Sequence, residues 1–159
     1  MDSVKWLETI EVIREEDAGG KEYRRVRSIV GGVQDAGPVS AIEVKSVFSR
    51  PADEAILMGR RFTARGAAWA GERPVKAVEV STDGGYSWQA ARFSPGQPPP
   101  QPCAWVHWEY DWKIPVPGAY ELVCRATDDS GRVQPAKRPA DRVDDYEQNS
   151  WHRVSVRMV

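Results

Sequence analysis

Apolar and polar residues alternate with a period of two through several short stretches of this chain, and glycine, proline or aspartate bounds most of them. This period places successive side chains on opposite faces of a strand, so each stretch predicts a β-strand with one buried face. The predicted strands cover residues 42–48, 62–69, 75–80, 86–88, 105–112, 120–126 and 154–158. About seven short strands separated by turns predict an all-β, two-sheet antiparallel sandwich of the immunoglobulin type.

A central hairpin is predicted over residues 75–88. Val78 and Val80 alternate with small or polar neighbours, and the Asp-Gly-Gly run at 83–85 tolerates positive φ at little cost. Tyr86 and Trp88 then restart the alternation, so they are predicted to lie on the return strand.

Two long loops and one close contact are predicted from composition. Residues 93–102 include five prolines, which cannot occupy a sheet interior, and the polar stretch 135–150 lacks alternation. The strand at 62–69 ends in small residues, which allow close approach of another backbone. The aromatic stretch Trp105 to Trp112 suits either a core or an interface, and core packing is favoured.

The first 35 residues have a different pattern. A strand-like run at 4–12 precedes a polar turn at 14–20, a basic cluster and then glycines typical of a linker. These residues have too few apolar partners to fold alone. The sequence therefore predicts an N-terminal extension, residues 1–35, followed by one domain at 36–159.

Charge and composition argue against several function classes. The chain has 22 basic and 23 acidic side chains, so no whole-chain field attracts nucleic acid or an anionic membrane. No apolar run approaches the roughly 20 residues of a membrane span. The first residues show neither a basic n-region nor an apolar h-region, so a cytoplasmic location is expected.

Candidate chemistry is sparse. His107 and His152 fall on different predicted strands without a partner at zinc-ligand spacing. Asp128 and Asp129 are more typical of a turn than of a catalytic carboxylate pair, because Gly131 follows closely. No complete active site and no metal site are predicted within 36–159.

The chain has two cysteines, Cys103 and Cys124. Cys124 lies within an apolar alternation, where a buried free thiol is favoured over a disulfide.

Four stretches in one order resemble the C-terminal dimerisation domain of sulfite oxidase-type molybdenum enzymes, a group that includes assimilatory nitrate reductases. They are Ala68 to Gly71, Val75 to Trp88, Arg125 to Asp128 with Gln134-Pro135, and Asn149 to Val154. The resemblance covers residues 36–159. It implies an immunoglobulin-like (E-set) sandwich and a homodimer formed through a face of that sandwich.

Two site residues follow from the resemblance alone. The Val-Lys-Trp-Leu run at 4–7 is similar to the last strand of the family's molybdopterin-binding domain, so Lys5 is expected to contact the pterin when the missing domain is present. In the family this domain lends an arginine to the substrate-anion pocket, but spacing from Trp151 places Asp144 there, two residues after Arg142. Either Arg142 substitutes, or the substrate or role differs.

Three functional hypotheses remain open at this point. The first is a non-catalytic dimerisation or interaction domain of a sulfite oxidase-like molybdenum oxidoreductase, incomplete without the catalytic domain and binding no cofactor alone. The second is a subunit of a split molybdoenzyme, in which residues 1–35 complete a separate molybdopterin-binding polypeptide. The third is a carbohydrate- or protein-binding sandwich unrelated to molybdenum, with exposed aromatic residues as its platform.

Overall fold

The computed structural model describes residues 8, 9, 12, 14, 24–39 and 41–159, and the regular elements among them are all β-strands. The strands are β1 (Arg24–Ile29), β2 (Gly32–Pro38), β3 (Lys45–Arg50), β4 (Ala55–Leu57), β5 (Arg61–Trp69), β6 (Val75–Ser81), β7 (Gln89–Ala90), β8 (Arg92–Phe93), β9 (Val106–Lys113), β10 (Gly118–Asp128) and β11 (His152–Met158). The predicted all-β, immunoglobulin-like sandwich is confirmed.

Two sheets face each other across the core. One has the strand order β4-β11-β10-β6-β7 and the other β3-β5-β9-β8, and neighbouring strands are antiparallel except for β4 beside β11. The predicted inward positions of β10 and β11 are buried, except Tyr120, which is half-buried against the core. Trp108 and Trp112 lie in the core, which confirms core packing for them, whereas Trp105 is exposed.

The predicted close contact on β5 occurs at Gly66. Its cross-strand partner on β9 is Trp108, and a Cβ built on Gly66 would overlap the Trp108 indole and the Val47 carbonyl oxygen. The run of small residues on β5 therefore makes room for the largest side chain of the core.

The prediction for the return strand at Tyr86 and Trp88 is wrong. The Asp83 carboxylate accepts hydrogen bonds from the backbone N–H groups of Tyr86 at 3.0 Å and Ser87 at 2.9 Å, which keeps this stretch in a loop. Pairing with β6 begins only at Gln89. The chain then changes sheet, because β7 pairs with β6 and β8 pairs with β9 in the opposite sheet.

The structure also differs from the pattern at two N-terminal places. Residues 24–38, where the sequence predicted a basic cluster and a linker, form the antiparallel hairpin β1–β2 with a turn at Gly31, whose φ is 91°. Ile42 was predicted to lie on the first strand of the sandwich, yet it is exposed and precedes β3. The division of the chain at residue 35 stays a prediction.

Candidate functional site

A buried glutamine, Gln134, holds together the two ends of the long polar loop at 135–150, which precedes β11. The Gln134 Oε1 accepts from the backbone N–H groups of Ser46 at 2.7 Å and Ala126 at 3.1 Å, while its Nε2 donates to the Ser150 carbonyl at 2.9 Å. The indole Nε1 of Trp151 donates to the Gln134 carbonyl at 2.9 Å. Both ends of the loop are therefore attached to both sheets at one point.

The loop lies along the outer edge of the hairpin. The Val143 N–H donates to the Val26 carbonyl at 3.0 Å, and the Ser28 N–H donates to the Asp141 carbonyl at 2.6 Å. A backbone bridge also joins Arg27 and Arg142. The loop thus acts as a third, irregular strand beside β1.

Two arginines converge on the Asp144 carboxylate at this junction. Arg142 donates through Nε and Nη2, both at 2.8 Å, and Arg138 donates through Nη2 at 2.6 Å. The backbone N–H of Val26 donates to the same carboxylate at 2.8 Å. The hydrogen bonds from Arg142 hold the pKa of Asp144 well below its usual range, although burial alone would raise it.

A second carboxylate completes this ionic cluster. Glu147 accepts from Arg25 on β1 and, at 3.1 Å, from Arg142. The hydrogen bond from Arg25 lowers the pKa of Glu147. The arrangement holds the hairpin to the loop and keeps both carboxylates charged, so neither is suited to proton transfer at neutral pH.

The two site residues that follow from the resemblance have different positions. Arg142 is largely buried and directs its guanidinium at Asp144 and Glu147, so an external anion would have to replace a carboxylate there. Lys5 lies outside the described residues. Both assignments stay predictions.

A second cluster, which sequence reasoning missed, lies on the outer face of the five-stranded sheet. The rings of Trp88 and Trp151 meet edge to face at 4.8 Å, the Arg125 guanidinium lies 4.0 Å from the centre of the Trp88 ring, and that of Arg153 lies 5.5 Å from Trp151. They cover this part of the sheet, where the outward-facing Val123 is fully buried. The missed signal was that these residues come from three of the four stretches that carry the family resemblance.

The remaining candidate residues have structural surroundings. Burial would raise the pKa of Asp128, but hydrogen bonds from Ser130 and Arg132 lower it to about 2, and the predicted turn is confirmed. The Nδ1 of His152 accepts from the Phe48 N–H at 3.1 Å, and burial lowers the pKa of this histidine.

The two cysteines are free. Cys103 is exposed, whereas Cys124 is buried, and burial raises the pKa of the Cys124 thiol to about 12. Such a thiol stays protonated at neutral pH and is a poor nucleophile or metal ligand.

Within the described ranges, no three His, Cys, Asp or Glu side chains converge to hold a metal ion. These residues therefore do not form a donor set for the molybdenum centre that the resemblance implies. The same residues include no helix that is long and apolar enough to cross a membrane.

Comparison with known proteins places this architecture in a family. A family model described as Mo-co oxidoreductase dimerisation domain matches residues 37–159. The mitochondrial sulfite oxidase of Mus musculus is 32% identical over 167 residues, which cover 98% of this chain and 31% of that protein. A nitrate reductase (NADH) of Ulva prolifera is 40% identical over 108 residues, which cover 60% of this chain and 12% of that protein.

A solved structure agrees with these matches. The sulfane dehydrogenase SoxCD from Paracoccus pantotrophus superimposes with a TM-score of 0.64 at 27% identity, over 82% of this chain and 33% of that chain. This chain spans about a third of the length of the sulfite oxidases of Mus musculus and Homo sapiens. The chain belongs to the Mo-co oxidoreductase dimerisation domain family.

Proposed function

We propose that this chain is the dimerisation domain of a sulfite oxidase-like molybdenum oxidoreductase and that it is non-catalytic without a catalytic domain. One observation carries the proposal: the residues that match the family model are those that fold into the complete two-sheet sandwich. The candidate polar side chains in this range support a structural role, because Asp128, Arg142 and Asp144 satisfy one another or the backbone.

A homodimer of such domains is expected to be two-fold symmetric. In an isologous interface each copy uses the same patch, so the patch must be complementary to itself. A rigid sandwich provides such a patch with little loss of conformational entropy on binding, because the sheet already holds the backbone of its outward side chains in position.

Light scattering coupled to gel filtration tests this function across a dilution series. We expect a mass of twice the 17.8 kDa chain that persists on dilution to low micromolar concentration. The same samples should not oxidise sulfite or reduce nitrate. A single-chain mass at every concentration would contradict the dimerisation function.

The split-enzyme hypothesis is supported by the tip of the β1–β2 hairpin. Ile29, Val30 and Val33 are exposed there, while ionic contacts fix the hairpin to the loop. An apolar tip on a fixed hairpin suits a protein partner, and here the partner would be a molybdopterin-binding polypeptide.

In that assembly we infer that Lys5 contacts the pterin and that Arg142 contacts the substrate anion, for which its guanidinium must exchange a carboxylate partner, Asp144 or Glu147, for that anion. The test mixes this chain with a separately expressed molybdopterin-binding domain of a sulfite oxidase and follows the melting temperature. Stabilisation that Val30→Glu abolishes is expected, with Val133→Glu as an exposed-valine control. No stabilisation by the added domain would rule out the assembly.

A cytoplasmic location also stays a prediction.

A further inference from the structure

Four large apolar side chains form an exposed patch at one end of the sandwich. Ile56, Met58, Val116 and Val159, here called the end patch, are 67%, 81%, 62% and 59% exposed. Contiguous apolar surface of this kind on a folded domain usually marks a contact with another molecule.

Strand register brings these residues together. Ile56 on the edge strand β4 pairs with Arg157 on β11, and the Val159 N–H donates to the Leu57 carbonyl at 3.0 Å, which places Met58 beside the end of β11. Val116 and Val159 line the same small cavity. The end patch is therefore continuous across β4, β11 and the β9–β10 turn.

A groove on the outer face of the five-stranded sheet extends the end patch. Apolar Ile56 and Ala119 line it together with the charged residues Glu54, Arg157 and Glu121, and Glu121 pairs with Arg153. The tryptophan–arginine cluster around Trp88 covers a different part of this sheet, so the half nearest β4 is left open.

The charges around the groove are self-complementary. Within the described part of the chain, neither Glu54 nor Arg157 makes an ion pair. Because a two-fold axis brings the same patch of each copy together, Arg157 of one copy can face Glu54 of the other across the axis. An apolar centre with a charged rim is the usual composition of a specific interface.

The end patch also lies away from the N-terminal hairpin. The strands β5, β10 and β11 run between the two ends of the sandwich, and the hairpin contacts the loop at the end where β11 begins. The end patch is at the end where β11 finishes. The hairpin β1–β2 therefore does not cover it.

We propose that the end patch and its groove form the contact with a second copy of this chain, centred on Ile56 and bordered by reciprocal Arg157–Glu54 pairs. This inference rests on the dimerisation function proposed above and names its surface. A stable interface buries about 800 Å² on each partner, which requires the groove as well as the four apolar side chains.

The test compares Ile56→Glu with Ile42→Glu. Both isoleucines are exposed to a similar extent, 67% and 63%, but Ile42 lies at the opposite end of the sandwich. We expect Ile56→Glu to raise the dimer dissociation constant roughly hundredfold, as for loss of a central interface residue, and Ile42→Glu to leave it unchanged. Circular dichroism confirms that each variant is folded.

A charge exchange tests the symmetry. Arg157→Glu alone should weaken the dimer because like charges then face each other, and Arg157→Glu with Glu54→Arg should restore it. A wild-type dimer that Ile56→Glu leaves intact would overturn this surface while keeping the dimerisation function. A wild-type monomer would instead overturn the dimerisation function itself.

Discussion

Gly66 shows how one residue decides whether the core between the two sheets can pack. It lies on β5 with no room for a side chain, because the Trp108 indole and the Val47 carbonyl occupy the position of a Cβ. The sequence predicted close approach at this strand, but only the register shows that Trp108 is the residue that requires it.

Gly66→Ala is expected to lower the free energy of unfolding by at least the roughly 1–3 kcal/mol typical of an overpacked core. Both the Val47 backbone and the Trp108 side chain must move to accept the added carbon. Urea unfolding measures the change. Gly96→Ala is the control: its φ is +80° but no atom lies within 4 Å of the added carbon. The control should lose only about 1 kcal/mol, from backbone strain. Equal losses would contradict the packing argument.

The low pKa of Asp128 predicts that the folded domain loses stability in acid. Its folded pKa of about 2 lies below its ordinary value of 3.8, so its contribution to stability is complete above that ordinary value and is lost as the pH falls through about 2. Urea unfolding between pH 6 and 2 should show a shallower acid decline for Asp128→Asn than for the wild type.

Asp129→Asn is the matched control for this prediction. Asp129 is exposed, and its side chain pairs with Arg73 at 3.2 Å on the surface. The control should retain the wild-type acid profile because surface pairs contribute little. If both variants reduce the acid decline in stability equally, that decline does not come from the buried Asp128 carboxylate.

The β1–β2 hairpin is an element held by charge rather than by a core. Its residues are largely exposed, and it is joined to the loop by backbone hydrogen bonds and by the ionic contacts of Arg25 with Glu147 and of the Val26 N–H with Asp144. Apolar periodicity does not detect an element of this kind, because no buried face imposes the pattern. The glycines of this segment therefore looked like a linker.

Asp144→Asn should release the hairpin from the loop. The substitution keeps the shape but removes the charged partner of Arg138 and leaves Arg142 with Glu147 alone. Breaking a buried ion pair costs roughly 3–5 kcal/mol. Hydrogen exchange of the Val26 amide, which donates to this carboxylate, should quicken strongly while the sandwich stays protected.

The control is Asp141→Asn, which removes an exposed pair with Arg27. It should alter exchange of the same amide little, because such pairs contribute at most about 1 kcal/mol. Unchanged exchange in Asp144→Asn would show that the backbone bridge, and not the ionic cluster, holds the hairpin.

At the scale of the whole molecule, the stability of a dimerising domain depends on its concentration. If only the folded chain associates, mass action stabilises it further as concentration rises. The melting temperature of the wild type should therefore increase over a hundredfold concentration range, whereas that of Ile56→Glu should stay constant. A wild-type melting temperature that does not change with concentration would argue against dimerisation of the folded chain.

The sequence by itself determined the all-β class, most strands of the sandwich, the two long loops and the family, because these depend on local alternation, turn residues and motifs in order. Tertiary structure decided what local pattern does not encode. The Asp83 carboxylate accepts hydrogen bonds from the backbone of residues 86–87. Asp144 accepts from Arg142 and Arg138. The ring of Trp151 packs against that of Trp88, 63 positions earlier in the sequence. The end patch likewise exists only in three dimensions. Its members belong to separate strand ends and turns, and hydrogen-bonded register alone brings them to one end of the sandwich.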